Sequence, residues 1–350
     1  MRLKGTLFWM GLFVLGCCWL AGCTVGPDYQ TPVIDMPDQW HQQLVEGFKI
    51  EDPMPSQWWE LLNDPVLKEL VRDVRQNNPD LESAYWGFVQ SRYARDYVSG
   101  ESYPSVDAVG SYRRNQYSEE GFFGGGFAAK PFDTYSIGFD ASWESNIFGR
   151  FRRALESAQA SYEARIENYR DVLVSLSAEA ARNYVELRTL QARIEYTVQN
   201  IESQDAMLNL AQARFDSELA PRLDVEQARL NLADTRSQIP SLRSAEKAAT
   251  NRLCVLTGKQ PGELNELLAD IKPIPMLPAE IGIQVPAELL RQRPDIRRAE
   301  RELAAQTAQI GYVTADLYPS FSLSGNIGFE AMDFSNLTKN GSKYYGFGPS

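Results

Sequence analysis

"NNPDLESAYWGFVQSRYARDYVSGESYPSVDAVGSY" (77–112) and "QRPDIRRAERELAAQTAQIGYVTADLYPSFSLSGNI" (292–327) read as two copies of one unit. They align without a gap at an offset of 215, residue 77 against residue 292. Identities fall at Pro79/Pro294, Asp80/Asp295, Ala84/Ala299, Tyr97/Tyr312, Val98/Val313, Tyr103/Tyr318, Pro104/Pro319, Ser105/Ser320 and Gly110/Gly325. Chance would hardly keep both the Pro-Asp start and the Tyr-Pro-Ser end, so the chain contains a duplication. Each copy opens a helix with Pro-Asp, where proline suits the first turn and the carboxylate complements the helix dipole. The helices span 79–102 and 294–317, and a strand follows each Tyr-Pro-Ser break.

The strands alternate strictly. Over 134–144, Tyr135, Ile137, Phe139, Ala141 and Trp143 face one way, against Ser136, Gly138, Asp140, Ser142 and Glu144. Phe321, Leu323, Gly325, Ile327 and Phe329 repeat the pattern within 319–330, and Val106, Ala108, Gly110 and Tyr112 give a weaker version within about 104–115. Such a period suits a half-buried soluble sheet or a transmembrane β-barrel. Trp143, Tyr103 and Tyr318 at strand ends, where an interfacial girdle would sit, favour the barrel, with "SEEGFFGGGFAAKPFD" (118–133) as its external loop. Three strands, or four in a complete second copy, cannot close a barrel, and an open edge is not tolerated in lipid, so spanning implies oligomerisation. The gapless alignment maps residue 350 onto Tyr135. On that mapping the chain stops where the last strand should begin, which makes it a fragment or a truncated product short of that strand and two helices.

From 149 to 215 there is no proline, and apolar residues recur every three or four positions. A helix of that length would run roughly 100 Å and must lie against other long helices. A second helix over 223–256 ends before Thr257-Gly258, with glycine as the stop. It and the helix at 79–102 together match the long one, which suggests two short helices stacked end to end beside one long helix. Segment 261–285 reads as a linker, and 286–350 as the start of the second repeat.

Residues 1–22 read as a signal segment. Arg2 and Lys4 precede an uncharged run from Leu7 to Leu20, too short for a membrane span of roughly 20 residues. Leu20-Ala21-Gly22-Cys23 has the form of a lipobox, which makes Cys23 the lipidated first residue of the mature chain. Its diacylglycerol and N-acyl chain would then be the only non-protein groups, with no other cofactor and no metal. Thr24, not Asp, follows, and under the known sorting rule that directs a lipoprotein to the outer membrane. Residues 23–76 are then a lipid-anchored segment packed on the helices. Cys254 has no disulfide partner if Cys23 is acylated.

A net charge of −11 without Lys/Arg clusters argues against nucleic acid. His41 is the only histidine, so no His-based triad or multi-His metal site can be built, and "GFFGGGF" lacks the lysine and helix of a phosphate loop. The chain does not read as an enzyme. The rival reading is a lipid-anchored coiled-coil scaffold that conducts nothing, for which alternating strands have no use.

Together "LAGCTVGPDYQTP" (20–32), "WWELLNDPVLKELV" (58–71), "ASWESNIFGRFRRALESAQA" (141–160), "LTGKQPGEL" (256–264) and "PAELLRQRPDIRRAERELAAQTAQIGYVTADLYPSFSLSGNIG" (286–328) resemble the TolC-like outer membrane factors, in their NodT- and OprM-like lipoprotein branch. The resemblance implies a mixed α and β fold. Long antiparallel α-helical hairpins would form a periplasmic α-barrel below a trimeric 12-stranded outer-membrane β-barrel. It also implies a homotrimer in the outer membrane of a Gram-negative bacterium, an exit duct that meets a periplasmic adaptor and an inner-membrane pump. In "RFDSELAPRLDVEQAR" (214–229) it places adaptor docking at Arg214, Leu219, Asp224 and Val225. Glu218 stands where such proteins usually have glycine, so a shifted turn is expected. The full-length parent would form channels, and this chain by itself would insert poorly.

Overall fold

The computed structural model describes residues 24–33, 40–41, 48–50, 57–117, 131–278, 280–283 and 286–349. The signal segment, Cys23 and most of the glycine-rich loop lie outside them. In chain order come β1 (Phe48–Ile50), α1 (Pro65–Asn77), α2 (Pro79–Gly100), β2 (Ser105–Asn115), β3 (Phe132–Ser145) and α3 (Arg150–Asp216). There follow α4 (Arg222–Leu256), α5 (Asn265–Ala269), β4 (Ile281–Ile283), α6 (Pro286–Gln292), α7 (Pro294–Ala315), β5 (Phe321–Ala331) and β6 (Lys343–Pro349). Both long helices fall within a residue of the bounds read from periodicity.

Two compact units emerge. One comprises Val33–Phe88 and Arg165–Arg298, the other Met1–Pro32, Val89–Ala164 and Ala299–Ser350. The first holds the main core, where Leu67, Leu70, Val71 and Val74 of α1 meet Tyr184 and Leu187 of α3 and Leu253 and Cys254 of α4. Cys254 is a buried free thiol.

The end-to-end joint is present in this unit, and one side chain makes it. The Asn78 side-chain oxygen accepts from the backbone N–H groups of Asp80 (2.9 Å) and Leu81 (3.1 Å), capping α2. Its amide nitrogen donates to the Leu256 carbonyl at 2.9 Å, so the last turn of α4 is bonded to the first turn of α2. The α4 end is closed by Gly258 at φ +67, with Lys259 N–H on Cys254 O (2.8 Å) and Gly258 N–H on Val255 O (3.1 Å). This is the left-handed cap in which glycine avoids a Cβ penalty. A side chain on Gly258 would also strike the Asn77 carbonyl.

A buried polar chain ties α1 to α3. Asp64 caps α1 through Val66 and Leu67 N–H and accepts the Tyr184 hydroxyl at 2.7 Å. Tyr184 in turn accepts from Arg188 Nε at 3.0 Å. Arg188 is fully buried and donates to Gln191 Oε1 and the Asp270 carbonyl, which holds the segment after α5 against α3. Burial and the Asp64 carboxylate push the Tyr184 phenol up to about 12.

The second unit carries a four-stranded antiparallel sheet in the order β2-β3-β5-β6. The fourth strand corrects the gapless alignment, which placed its start at the very end of the sequence, at residue 350. The connection 332–342 is shorter than 116–131 in the first copy, so β6 starts earlier and pairs with β5 from Phe329↔Lys343 to Leu323↔Pro349.

Asn78→Ala removes the α2 cap and the splice together, and is expected to cost about 1–3 kcal/mol. Asn78→Asp keeps the cap but loses the donor to Leu256, and should cost part of that. Urea unfolding of the detergent-solubilised protein measures both.

Candidate functional site

Three features concentrate the chemistry: the faces of the sheet, the segment after Cys23, and the hairpin tip between α3 and α4. Register sorts the side chains of the sheet into cross-strand rows, mostly apolar on one face and mostly polar on the other. Val106, Ala141, Gly325 and Phe347 form one cross-strand row, and Ala108, Phe139, Ile327 and Tyr345 the next. Most of these are exposed, with Ile327 at 62% and Phe347 at 84%. The opposite face carries rows such as Ser105-Ser142-Ser324 and Asp107-Asp140-Asn326. An apolar face of this extent is unusual on a surface meant for water.

Aromatic residues bound that face at both ends. Trp143, Tyr103 and Tyr318 stand at the end next to the helices, as expected, with Trp143 Nε1 donating to the Ser102 carbonyl and Tyr318 stacked on Phe148 at 4.7 Å. A second row, which the sequence reading missed, lies at the far end: Tyr112 against Tyr135 (5.0 Å), and Tyr135 against Phe334 (5.6 Å). From Trp143 to Tyr135 the strand covers about 26 Å at ~3.3 Å per residue, near the apolar band of outer-membrane barrels. No described helix is long and apolar enough to cross a membrane. β2 and β6 each leave one edge unpaired among the described residues.

Cys23 lies outside the described residues, but the chain after it is held firmly from Thr24 onward. Arg153 of α3, with its side chain 4% exposed, donates from Nε to the Val25 carbonyl (3.0 Å) and from Nη2 to the Gly26 carbonyl (3.3 Å). The same Nη2 meets Asp28 Oδ1 at 2.6 Å, while Nη1 reaches Glu156 Oε2 at 2.7 Å. Burial alone would lower the Arg153 pKa, but the two carboxylates outweigh it and hold it above the ordinary value. Arg152 adds a bond to the Thr24 hydroxyl at 3.0 Å.

Gly26, at φ +89, rests directly on Gly311 of α7, and a Cβ there would overlap the Gly311 backbone. Tyr29 packs against Ala160, Ala304 and Ala305, its hydroxyl donates to Glu300 (3.2 Å), and the Arg301 guanidinium covers its ring at 5.4 Å. Burial would raise the Glu300 pKa, yet bonds from Arg301, Thr31 and Tyr29 hold it below the usual range. The "VGPDY" and "FGRFRR" stretches are therefore two sides of one contact.

At the tip, Glu218 itself takes the left-handed conformation, φ 62, so the expected shifted turn is not what forms. Glu218 N–H bonds Phe215 O at 2.9 Å and Leu219 N–H bonds Arg214 O at 2.8 Å, the same cap that Gly258 makes, here with a side chain at the strained position. Pro221 precedes the first turn of α4. Arg214, Leu219 and Asp224 are exposed, Leu219 at 72%. Val225 is buried, so the structure does not group it with the other three. Leu223, equally exposed beside Asp224, was not singled out from sequence.

A family profile described as outer membrane efflux protein matches residues 70–259 and 285–350. Nodulation protein T of Rhizobium leguminosarum bv. trifolii is 29% identical over 317 residues, covering 88% of this chain and 64% of that protein. The solvent efflux pump outer membrane protein SrpC of Pseudomonas putida is 31% identical over 340 residues, covering 94% of this chain and 70% of that protein. Among solved structures, the outer-membrane channel OprN superposes with a TM-score of 0.86 at 35% identity, over 94% of this chain and 72% of that one. The CmeC outer membrane channel of Campylobacter jejuni gives 0.83 at 20% identity, over 94% and 70%, a likeness of fold alone. The chain thus spans less than two thirds of the length of the nodulation proteins T that it matches.

Arg153→Ala strips the segment after Cys23 of its buried anchor at about 1.5–3 kcal/mol. Limited proteolysis should then cut within 24–31 faster while the helices stay resistant. Glu218→Gly should stabilise the hairpin by up to about 1 kcal/mol by removing the left-handed Cβ penalty, whereas Glu218→Ala should not. Amide exchange in α3 and α4 next to the turn reports the difference.

Proposed function

Because the chain belongs to the outer membrane efflux protein family, we propose that it is the exit-duct subunit of a tripartite efflux or export system. It passes small solutes outward by diffusion along a lumen, without chemistry. The observation that carries this is the sheet: one apolar face between two aromatic rows, one polar face, and two unpaired edges. β2, β3, β5 and β6 alternate in direction, so β6 of one copy can pair antiparallel with β2 of the next. Three copies then give twelve strands, with apolar side chains toward lipid and Ser, Asp and Asn toward the lumen.

The names of the relatives support the assembly, since they are outer membrane components of solvent and toluene efflux pumps. In this reading Cys23 carries the acyl anchor in a Gram-negative outer membrane. Arg214, Leu219 and Asp224 meet a periplasmic adaptor that links the duct to an inner-membrane pump. Val225 serves that tip from a buried position.

The test pairs one cysteine on β2 with one on β6, oxidised in intact membranes, and then records single-channel currents of the purified protein in planar bilayers. Because β6 supplies the fourth strand, cross-linked trimers with stable conductance are expected, in place of the poor insertion expected of a chain that lacks it. Monomers without conductance would overturn the duct and favour the scaffold. Radiolabelled palmitate should enter the wild type and not Cys23→Ser.

A further inference from the structure

One side chain on the polar face of the sheet does not belong to its surroundings. The rows there are built largely of Ser, Asp, Asn, Thr, Glu and Gly, and apart from Phe132 at the first residue of β3, Tyr344 of β6 is the only aromatic among the described strand residues on that face. It sits in the row Val109-Gly138-Gly328-Tyr344, directly opposite one glycine and one strand from another. A Cβ on Gly328 would lie 2.9 Å from the Tyr344 hydroxyl oxygen, and one on Gly138 would lie 3.1 Å from it. The phenol therefore reaches across both glycines. Gly138 and Gly328 are also the only buried residues in the four strands, although Ile137, Phe139 and Ile327 beside them are exposed. A ring lying flat on the strand backbones accounts for that cover, as aromatic side chains shield glycines in other sheets.

We propose that this Gly-Gly-Tyr step sets the clearance of the duct at its level. The two glycines let the Tyr344 ring lie against the wall instead of standing into the lumen, so the step limits the size of solute that passes. The inference rests on the duct reading above, since only a closed sheet has a lumen. A ring lying flat takes up about 3.5 Å of radius, its van der Waals thickness, while one standing up takes up more. The hydroxyl has no part in this, so its removal alone should change nothing.

The experiment compares single-channel conductance and polymer exclusion of wild type, Tyr344→Phe, Tyr344→Ala, Gly328→Ala and the double variant Gly328→Ala/Tyr344→Ala. Tyr344→Phe should conduct as wild type, Tyr344→Ala more, and Gly328→Ala less, with the double variant restored to at least the wild-type value. The added methyl on Gly328 also approaches the Ile137 carbonyl at 2.5 Å, so Gly328→Ala can fail to assemble. The two Tyr344 variants introduce no clash and decide the question by themselves. A conducting wild type with Tyr344→Ala unchanged overturns this inference alone, as does a Tyr344→Phe that shifts as far as Tyr344→Ala. A wild type that never conducts overturns the duct reading and takes this step with it.

Discussion

Unsatisfied backbone at two sheet edges is the constraint on which the rest of the structure turns. In hydrocarbon each unpaired N–H or C=O costs several kcal/mol, and among the described residues β2 and β6 both present a row of them. In water the edges would be solvated, but then the apolar face from Val106 to Phe347 would be exposed instead. Neither solvent suits a single copy of the sheet. Self-association resolves both problems at once, because edge pairing between copies closes the backbone and leaves the apolar face for lipid. On the duct reading the helices would bring several copies together in register, which gives a reason for helices far longer than one core requires.

Most of this architecture was legible in the sequence because it rests on periods. Threes and fours fixed α3 and α4 to within a residue, and strict alternation fixed the two faces of β3 and β5. What failed was whatever depended on loop length or on residues meeting across the chain. The fourth strand was misplaced because a gapless alignment assumes equal loops, and 332–342 is the shorter one. The second aromatic row went unseen because Phe334 lies in that loop, outside any alternating run. At the tip, the resemblance, with glycine usual where Glu218 stands, implied that Glu218 would avoid positive φ through a shifted turn. The cap bonds to Phe215 and Arg214 outweigh about 1 kcal/mol of local strain.

The two copies have also diverged in a way that only the packing explains. In α7 the buried positions are Ala304, Ala305, Ala308, Gly311 and Ala315, a run of small residues. Their counterparts in the first copy are Val89, Gln90, Tyr93, Asp96 and Gly100, and Tyr93 is largely exposed. The second copy has kept its surface low where the N-terminal segment crosses it, with Gly26 on Gly311 and Tyr29 on Ala304 and Ala305. The first copy has nothing crossing it there among the described residues and carries large side chains. A duplicated helix thus acquired a second role without changing its period.

That crossing bears on how the chain holds a membrane. Thr24 to Thr31 is bonded to the same unit that carries the sheet, through Arg152, Arg153 and Glu300. Val25 N–H bonds the Phe148 carbonyl at 3.3 Å, and Phe148 in turn stacks on Tyr318 at the foot of β5. Thr24 and Val25 are thereby held at the end of the sheet that bears Trp143 and Tyr318. If Cys23 carries an acyl chain, lipid and aromatic row act at one level, and the same bilayer surface binds both. A flexible leash would add only its own partition energy. With Cys23 acylated as proposed, the buried guanidinium that ties Val25, Gly26 and Asp28 to α3 would also restrict the depth and tilt at which the sheet can sit.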